Sequence, residues 1–377
     1  MDDTALSQPA RRGFYRPELD ALRFFAFLCI FFLHTLSRAN IGAIAGRIDL
    51  RDVLTDSLKF AVSLFFLLSG YLITALLAME KESAGHVHLA AFYRRRIARI
   101  WPLYYSFILA VLLAGTVVSK LRPSGWALAA FTFLSGNWFL SRIGGMTGGL
   151  GILWSVNIEE QFYLLWPLLI QLGRGRSWKL SSAGILACSY LILLGFGLTG
   201  RYSDLTLRFN TLVEMQYFAG GALLAATLPR DGLDIPLILR PLIALSGLCC
   251  WAAGVRLFSR FYGAGMQTVP AWWGPSALYG CVLAGCVLLF LSFYGMSPRW
   301  LPRPLLWLGK ISYGLYVYHS LILALLPGFP SGRGYLVARL AVALLSTILI
   351  AGISYRWLEK PFLRWRERFT FVPNRPV

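Results

Sequence analysis

The chain has 377 residues, of which 57% are hydrophobic and only 14% are charged, and its formal net charge is +19. Its mean hydropathy is +0.62. A soluble protein of this length needs a far more polar surface, so the composition excludes a soluble globular enzyme and indicates a membrane protein with several spans. In such a protein the basic excess is expected at the cytoplasmic ends of helices, and it does not indicate a nucleic-acid partner.

Apolar runs close to the length that crosses a bilayer core predict the spanning helices. We predict spans at 21–37, 58–78, 100–118, 153–172, 182–200, 211–228, 241–258, 276–293, 311–328 and 335–355. A further apolar stretch, 126–140, is short and ends near Asn137, so we predict a re-entrant or partial helix buried in protein. The fold class is therefore all-α: a polytopic membrane helical bundle of about ten transmembrane helices plus this partial helix.

The distribution of Lys and Arg predicts the orientation of the bundle. With the N-terminus inside, most of the 36 basic residues fall in predicted cytoplasmic segments, including 79–99 and 173–181, while 259–275 lies outside. Counting 126–140 as a full span would place the basic loop 173–181 outside, against the positive-inside rule. We therefore predict a multi-pass protein of the cytoplasmic (inner) membrane with both termini in the cytosol.

This orientation divides the chain into a basic cytoplasmic tail at 1–16, a transmembrane domain at 17–365 and a C-terminal cytoplasmic tail at 366–377. No cleavable signal peptide is expected, because the apolar run after the basic tail continues without an A-x-A site. The six cysteines lie in apolar runs. Their spacing predicts neither a disulfide framework nor a metal site, and we expect no metal and no permanently bound cofactor.

The first span carries two ionisable side chains in an otherwise apolar run, with Asp20 just before them. Arg23 and His34 are separated by ten residues, so on a helix they point the same way, about 16 Å apart along its axis. A snorkelling arginine and a hydrogen-bonded histidine would explain either residue alone. Two such groups on one face indicate a cavity, because ionisable side chains inside a membrane are costly.

At the inner end of the third span, just before it begins, lies a cluster of basic residues that are all arginine: Arg94, Arg95, Arg96 and Arg99. A cytoplasmic topology anchor would explain their charge. It explains less well the use of arginine alone, the side chain suited to bidentate phosphate contacts. The cluster is therefore also consistent with a cytosolic phosphorylated ligand such as a nucleotide or coenzyme A.

Two adjacent carboxylates, Glu159 and Glu160, lie inside the fourth predicted span. Adjacent residues of a helix point about 100° apart, so one can face a cavity while the other meets a different partner, and the sequence does not tell which. Carboxylates at this depth rarely serve packing alone, and we favour a functional role.

Three weaker signals complete the set. His319 lies within the ninth span, where a bond to a neighbouring helix and a direct catalytic role are both open. The pair Ser69-Gly70 permits close approach of two helices. Glu359 precedes Pro361 at the end of the last span and is interpreted as structural.

These stretches, in this order, resemble membrane acyltransferase family 3, the integral acyl-CoA-dependent transferases that O-acylate cell-surface sugars and some secreted metabolites. The resemblance extends from about residue 16 to 365. It comprises Arg23-x10-His34, FFLLSGYLI, RRxxRIxPLY at 95–104, LWSVNIEEQFYLLWP, LGKISYGLYVYH and SYRWLEKPFLRW. No single motif is specific, whereas the ordered set is.

The resemblance implies that His34 is the essential histidine of the family and Arg23 its essential arginine. It also implies that the transmembrane domain is the acyltransferase domain and that Arg95, Arg96 and Arg99 recognise acyl-CoA.

In two respects the sequence departs from the family. Asn157 stands where the family usually has serine, which weakens any role assigned to that hydroxyl. The serine-hydrolase-like extracellular domain that some members carry is not seen, so we expect the protein to acylate its acceptor directly or to pass the acyl group to a separate envelope protein.

Acyl transfer from a thioester to a hydroxyl requires a base and a site that stabilises the oxyanion. His34 suits the first task, as a general base or as a covalent relay, and the sequence leaves both open. Arg23 can stabilise thioester or oxyanion charge. Glu159 or Glu160 can orient the histidine.

We therefore expect an integral membrane O-acyltransferase that moves an acyl group, by default acetyl, from cytosolic acyl-CoA to a hydroxyl. The acceptor would be a cell-envelope saccharide such as a polysaccharide, a glycolipid or a secreted glycoside, and acyl-CoA is a donor substrate. The alternative is a transporter: a flippase of lipid-linked sugars or a proton-coupled carrier in which His34 and the glutamates relay protons. A binding-only envelope scaffold does not account for the buried ionisable residues.

Overall fold

The structure is a computed structural model that describes residues 14–36, 50–143, 148–173, 177–262, 272–326 and 333–372. Parts of several predicted segments lie outside these described residues: 1–13, 174–176, 263–271 and 373–377. The described part of the chain is helical and contains no strand, as the composition predicted.

The helices follow one another through short connections. The first eight are α1 Pro17–Leu36, α2 Leu50–Ser57, α3 Ala61–Ala84, α4 Leu89–Val117, α5 Gly125–Thr132, α6 Gly136–Ile143, α7 Trp154–Leu172 and α8 Trp178–Thr199. The others are α9 Asp204–Arg208, α10 Thr211–Thr227, α11 Leu239–Tyr262, α12 Gly274–Phe293, α13 Arg303–Lys310, α14 Ser312–Leu325, α15 Arg333–Ser354 and α16 Lys360–Glu367. A π-helical turn, Tyr355–Glu359, joins α15 to α16 within the SYRWLEKPF motif.

Six helical segments in the described part of the chain are long and apolar enough to cross a membrane, so the protein is a multi-pass membrane protein. They are Pro17–Leu36, Asp52–Ala84, Leu89–Val117, Trp178–Thr199, Gly274–Phe293 and Tyr335–Glu367. The four other predicted spans coincide with α7, α10, α11 and α14. Two of these are short, since α10 has 17 residues and α14 has 14. The total of ten crossings therefore stays a prediction.

The stretch 126–140 forms two short helices, α5 and α6, and neither has the length to cross a bilayer. Between them the chain turns at Leu134, whose φ is +57°. The hydroxyl of Tyr104 donates to the carbonyl of Phe131 at 2.6 Å, and that of Tyr105 to the carbonyl of Thr132 at 3.2 Å. Side chains of α4 thus satisfy backbone groups that the broken helix leaves open, which is how a partial helix is tolerated at membrane depth.

The centre of the bundle is α3. In its apolar window 72% of the residues are buried, compared with 17% in the window of Tyr335–Glu367 at the periphery. Close approach of α3 and α10 depends on glycine: a Cβ on Gly70 would lie 2.2 Å from the carbonyl oxygen of Phe218, and one on Gly221 would lie 2.0 Å from that of Leu67. The close approach expected at Ser69-Gly70 is confirmed, and α1, α7 and α12 also pack against α3.

Candidate active site

The two histidines of the apolar motifs, His34 on α1 and His319 on α14, meet in the structure. The Nδ1 atom of His34 lies 3.0 Å from the Nε2 atom of His319. Their rings are stacked, with centroids 5.1 Å apart and planes 22° from parallel. His319 is fully buried, and Phe27 packs edge-on against its ring. The pair is therefore held in one arrangement by the packing of α1 against α14.

A backbone carbonyl assigns the protons of this pair. The Nδ1 atom of His319 lies 2.5 Å from the carbonyl oxygen of Tyr316, which can only accept a hydrogen bond, so this nitrogen carries a proton. In the neutral ring the Nε2 atom of His319 then accepts, and the Nδ1 atom of His34 donates to it. When His34 is neutral, its Nε2 atom then keeps the lone pair that a general base or nucleophile requires.

His34 lines a cavity toward the C-terminal end of α1, which we call the histidine cavity. Its wall is mainly apolar and glycine-rich, with four polar or aromatic side chains beside the histidine. The described residues that line it include His34, Gly148, Gly149, Gly151, Ile152, Trp154, Arg208, Tyr316 and Ser320. The imidazole of His34 therefore faces a space in which a small molecule can bind.

A second cavity, the middle cavity, lies between Arg23 and Tyr316. Glu159 accepts hydrogen bonds here from the hydroxyls of Ser69 and Tyr163. Arg96 reaches the same cavity, with its guanidinium over the ring of Tyr163 at 5.4 Å. The FFLLSGYLI and NIEEQFY motifs therefore build one polar wall, and Glu159 rather than Glu160 faces it.

A third cavity, the arginine cavity, lies toward the N-terminal end of α1. Six cationic side chains line it: Arg16, Arg23, Arg96, Arg99, Lys310 and Arg366. Among its described lining residues there is one carboxylate, Asp20, which accepts from Arg23 at 3.1 Å and from the hydroxyl of Tyr15 at 3.0 Å. Behind the wall, Glu18 lies 3.7 Å from Arg16 and Glu359 lies 3.6 Å from Arg99, so part of the charge is offset. The positive charge that remains, mostly guanidinium, suits a ligand with several phosphate groups.

Shared lining residues connect the three cavities. Arg23, Arg96 and Arg99 line both the arginine cavity and the middle cavity. Tyr316 lines both the middle cavity and the histidine cavity. Its hydroxyl is paired with that of Ser155 at 2.7 Å and lies 3.2 Å from the carbonyl of Ile152. The cavities thus follow α1 from Arg23 to His34, with Tyr316 between the last two.

Two residues selected from the sequence are placed away from these cavities. Arg95 is buried and pairs with Glu80 at 2.9 Å, while donating to the carbonyl of Phe369 at 2.6 Å. The indole nitrogen of Trp101 donates to Glu160 at 3.1 Å. Neither Arg95 nor Glu160 is among the described residues that line the three cavities.

From the sequence we expected a glutamate to orient the ring of His34. In the structure His319 is another candidate for this role, because it occupies the Nδ1 side of that ring.

Asn157 is fully buried and holds α4 to α6, donating to the hydroxyl of Tyr104 at 2.7 Å and accepting from the amide of Gly136 at 2.8 Å. This structural role is consistent with a departure from the family's usual serine. Within the described ranges, no group of three His, Cys, Asp or Glu could hold a metal ion.

Sequence reasoning missed several members of the arginine cavity. Arg16, Lys310 and Arg366 come from three segments far apart in the chain, and each alone resembles an ordinary membrane-surface cation. Glu359, interpreted as structural from the sequence, is buried and lies 3.6 Å from Arg99, which lines the cavity. In the sequence, the only indication of their role was that they lie in or near the motifs through which the chain resembles the family.

Comparison with known proteins identifies the family. The profile of a family described as an acyltransferase domain matches residues 16–356. The O-acetyltransferase OatA of Staphylococcus aureus (strain NCTC 8325 / PS 47) is 28% identical, over 96% of this chain and 59% of its own length. The peptidoglycan O-acetyltransferase OatA of Listeria monocytogenes is 26% identical, over 96% of this chain and 60% of its own.

A third relative, the putative peptidoglycan O-acetyltransferase YrhL of Bacillus subtilis, is 27% identical over 92% of this chain and 55% of its own length. The chain therefore spans less than two thirds of the length of these relatives. No solved structure matches it. Because the profile covers residues 16–356, nearly the whole chain, the protein belongs to the acyltransferase family that its sequence resembles, membrane acyltransferase family 3.

Proposed function

We propose that the protein is an inner-membrane O-acyltransferase that uses cytosolic acyl-CoA, by default acetyl-CoA, as donor. The observation that carries this proposal is the row of three cavities along α1, with six cations at one end and the histidine pair at the other. Phosphates bound in the arginine cavity would leave the thioester arm to extend through the middle cavity. The rise of α1 from Arg23 to His34, about 16 Å, is of the length that such an arm spans when extended.

The chemical step follows from the tautomer of the histidine pair. The Nε2 atom of His34 takes the proton of the acceptor hydroxyl as its oxygen attacks the thioester carbonyl. The C–S bond breaks, an ester forms, and the imidazolium returns the proton to the CoA thiolate. His319 keeps its hydrogen bond to His34 throughout and stabilises the imidazolium. Attack by the same Nε2 atom on the thioester, with an acyl-imidazole formed before the acceptor binds, uses the same geometry.

The acceptor is proposed to be a hydroxyl of an envelope saccharide that enters the histidine cavity from the side opposite to the donor. Two of the relatives are named as peptidoglycan O-acetyltransferases, one of them as putative, which supports a glycan acceptor. Glycolipids and secreted glycosides fit the same chemistry. Transfer of the acyl group to a separate envelope acceptor protein belongs to the same proposal.

Reconstituted protein tests the reaction. Purified protein in liposomes is incubated with [acetyl-¹⁴C]CoA, with and without a peptidoglycan-type glycan, and both free thiol and labelled glycan are measured. We expect release of free CoA and label on the glycan in equal amounts. A transporter or flippase would leave the thioester intact, so movement of label across the membrane without thiol release contradicts the proposal.

Orientation is tested separately with single cysteines in intact cells. An impermeant thiol reagent should label a cysteine introduced in 263–271 and should spare one at Arg176, if the N-terminus is cytosolic. Labelling of R176C would place the arginine cavity on the outer side, and the donor would then have to be found outside the cytosol.

A further inference from the structure

The histidine cavity contains one cation that the proposed chemistry does not use. Arg208, at the end of the short helix α9, lines this cavity together with His34. Its guanidinium lies over the indole ring of Trp154, 5.6 Å from the ring centroid. Trp154 is itself buried and fixed by edge-on contacts with Phe66 and Phe209. A guanidinium stacked in this way keeps its N–H edge available for an oxyanion in its own plane.

No carboxylate in the described part of the chain neutralises Arg208 by direct contact. Its neighbour on α9, Asp204, is paired with Lys59 at 3.4 Å. Glu214, buried on α10, acts on Arg208 only at a longer range than an ion pair. The described residues that line the cavity include no acidic side chain. The half-buried Arg208 therefore presents a positive charge to a wall without acidic side chains, where a bound anion would be its complement.

We infer that the acceptor carries an anionic group, a carboxylate or a phosphate, and that Arg208 binds it while His34 receives the neighbouring hydroxyl. This inference rests on the proposed function and names the acceptor class. Ser320 of α14, which also lines the cavity, has a buried hydroxyl without a hydrogen-bond partner and is available to a neutral polar group of the same acceptor. Two anchors in the same cavity as His34 would select one hydroxyl of a polyhydroxylated sugar.

The test compares three glycans that differ in one group: tri-N-acetylglucosamine, the same trisaccharide with one carboxylate ether, and the same trisaccharide with one phosphate monoester. Each is assayed for acetyl transfer from acetyl-CoA by wild-type, R208Q and R208K protein. We expect kcat/KM to be roughly tenfold or more higher for a charged glycan than for the neutral one, since charged hydrogen bonds are of that strength. R208Q should bring this ratio close to one, and R208K should keep part of it.

The control is Arg201, which lies on the same connecting segment, is exposed and lines none of the three cavities. R201Q removes the same charge and should leave the ratio of charged to neutral glycan at its wild-type value. A preference for only the carboxylate or only the phosphate identifies the group. Equal kcat/KM for all three glycans in the wild type, or an equal loss for all three in R208Q, overturns the inference and leaves Arg208 as a partner of Trp154.

A binding measurement tests the anionic subsite even if the protein does not transfer acyl groups, so the two proposals can fail independently. If wild-type protein consumes no acetyl-CoA, the glycans can still be tested by their effect on the thermal unfolding midpoint. The charged glycan should then raise the midpoint of the wild type more than that of R208Q. An equal shift, or none, overturns the anionic subsite whether or not acyl transfer is observed.

Discussion

The arginine cavity and the histidine cavity lie at opposite ends of the same helix and are built in opposite ways. The arginine cavity collects six long cationic side chains from α1, α4, α13, α16 and the segment before α1. The histidine cavity depends on two stacked imidazoles, one N···N distance of 3.0 Å and one backbone carbonyl. In the arginine cavity the positive charge is distributed over many long side chains. In the histidine cavity the position of the proton is fixed by two successive hydrogen bonds, from His34 to His319 and from His319 to the carbonyl of Tyr316.

This difference predicts how each end responds to mutation. Removing one of six cations leaves most of the positive potential in place, so donor binding should weaken in steps. Removing one member of the histidine chain changes which nitrogen holds the proton, and no other group among the described lining residues replaces it. The chemical step should therefore be far more sensitive than donor affinity.

The largest effect is expected for His34. H34Q keeps much of the size and hydrogen-bonding capacity but cannot accept a proton at Nε2, so it should lower kcat by roughly a thousandfold or more. The KM or dissociation constant for acyl-CoA should change little, because the phosphates bind at the other end of α1. Isothermal titration with CoA and single-turnover kinetics on the same preparation measure both quantities. Acyl transfer by H34Q near the wild-type rate would show that His34 is not the base.

The next effect is expected for His319, as a residue that positions His34. H319L should lower kcat about a hundredfold, the range seen when the partner that orients a functional histidine is lost. H319Q can still accept a hydrogen bond from the Nδ1 atom of His34 and should recover part of that loss. The KM for acyl-CoA should stay constant in both variants. If H319Q and H319L are equally impaired and both raise KM, His319 supports the fold and does not orient the base.

Part of this site could be predicted from the sequence, because each ionisable residue in an apolar span by itself indicates a functional position. Arg23, His34 and Glu159 were selected on that ground, and each lines a cavity. The contact between His34 and His319 could not be derived, since it depends on how α1 packs against α14, 285 residues apart in sequence. Arg95 and Arg96 are likewise indistinguishable by composition, and only the helical phase of α4 turns one toward Glu80 and the other into the cavity.

In the fold, too, some features follow from the local sequence and others depend on contacts between residues far apart in the chain. The apolar runs predict where helices lie, and every predicted span coincides with a helix of the structure. Their ends are set by contacts that a run does not encode: α4 begins at Leu89, eleven residues before the predicted span at 100–118, because its cationic first turns pack against α16 and Glu80. The break at Leu134 is similarly fixed by tyrosines of α4.

The arginine cluster offers a matched set of variants with intermediate effects. R96Q and R99Q remove cations that line two cavities, and each should raise the KM for acyl-CoA roughly tenfold while kcat changes less. R95Q breaks the buried pair with Glu80, so it should mainly lower the unfolding midpoint. Initial rates over a range of acyl-CoA, together with thermal unfolding, separate the two outcomes. An unchanged affinity for CoA in R96Q and R99Q would leave these arginines as topology anchors.

The smallest effect is expected for the hydroxyl of Tyr316, the residue between the middle and histidine cavities. Y316F removes the hydroxyl's bonds to Ser155 and to the carbonyl of Ile152 but keeps the ring and the backbone carbonyl that holds His319. It should therefore cost about 1 kcal/mol of stability, because a buried serine hydroxyl loses its partner, and change kcat by only about two- to threefold. Thermal unfolding and steady-state rates of Y316F and H319L test whether Tyr316 supports the reaction through its backbone carbonyl, which binds His319, rather than through its hydroxyl. A loss of kcat in Y316F as large as that in H319L would mean that the tyrosine hydroxyl takes part in the reaction, and the proton assignment made through the carbonyl would need to be replaced.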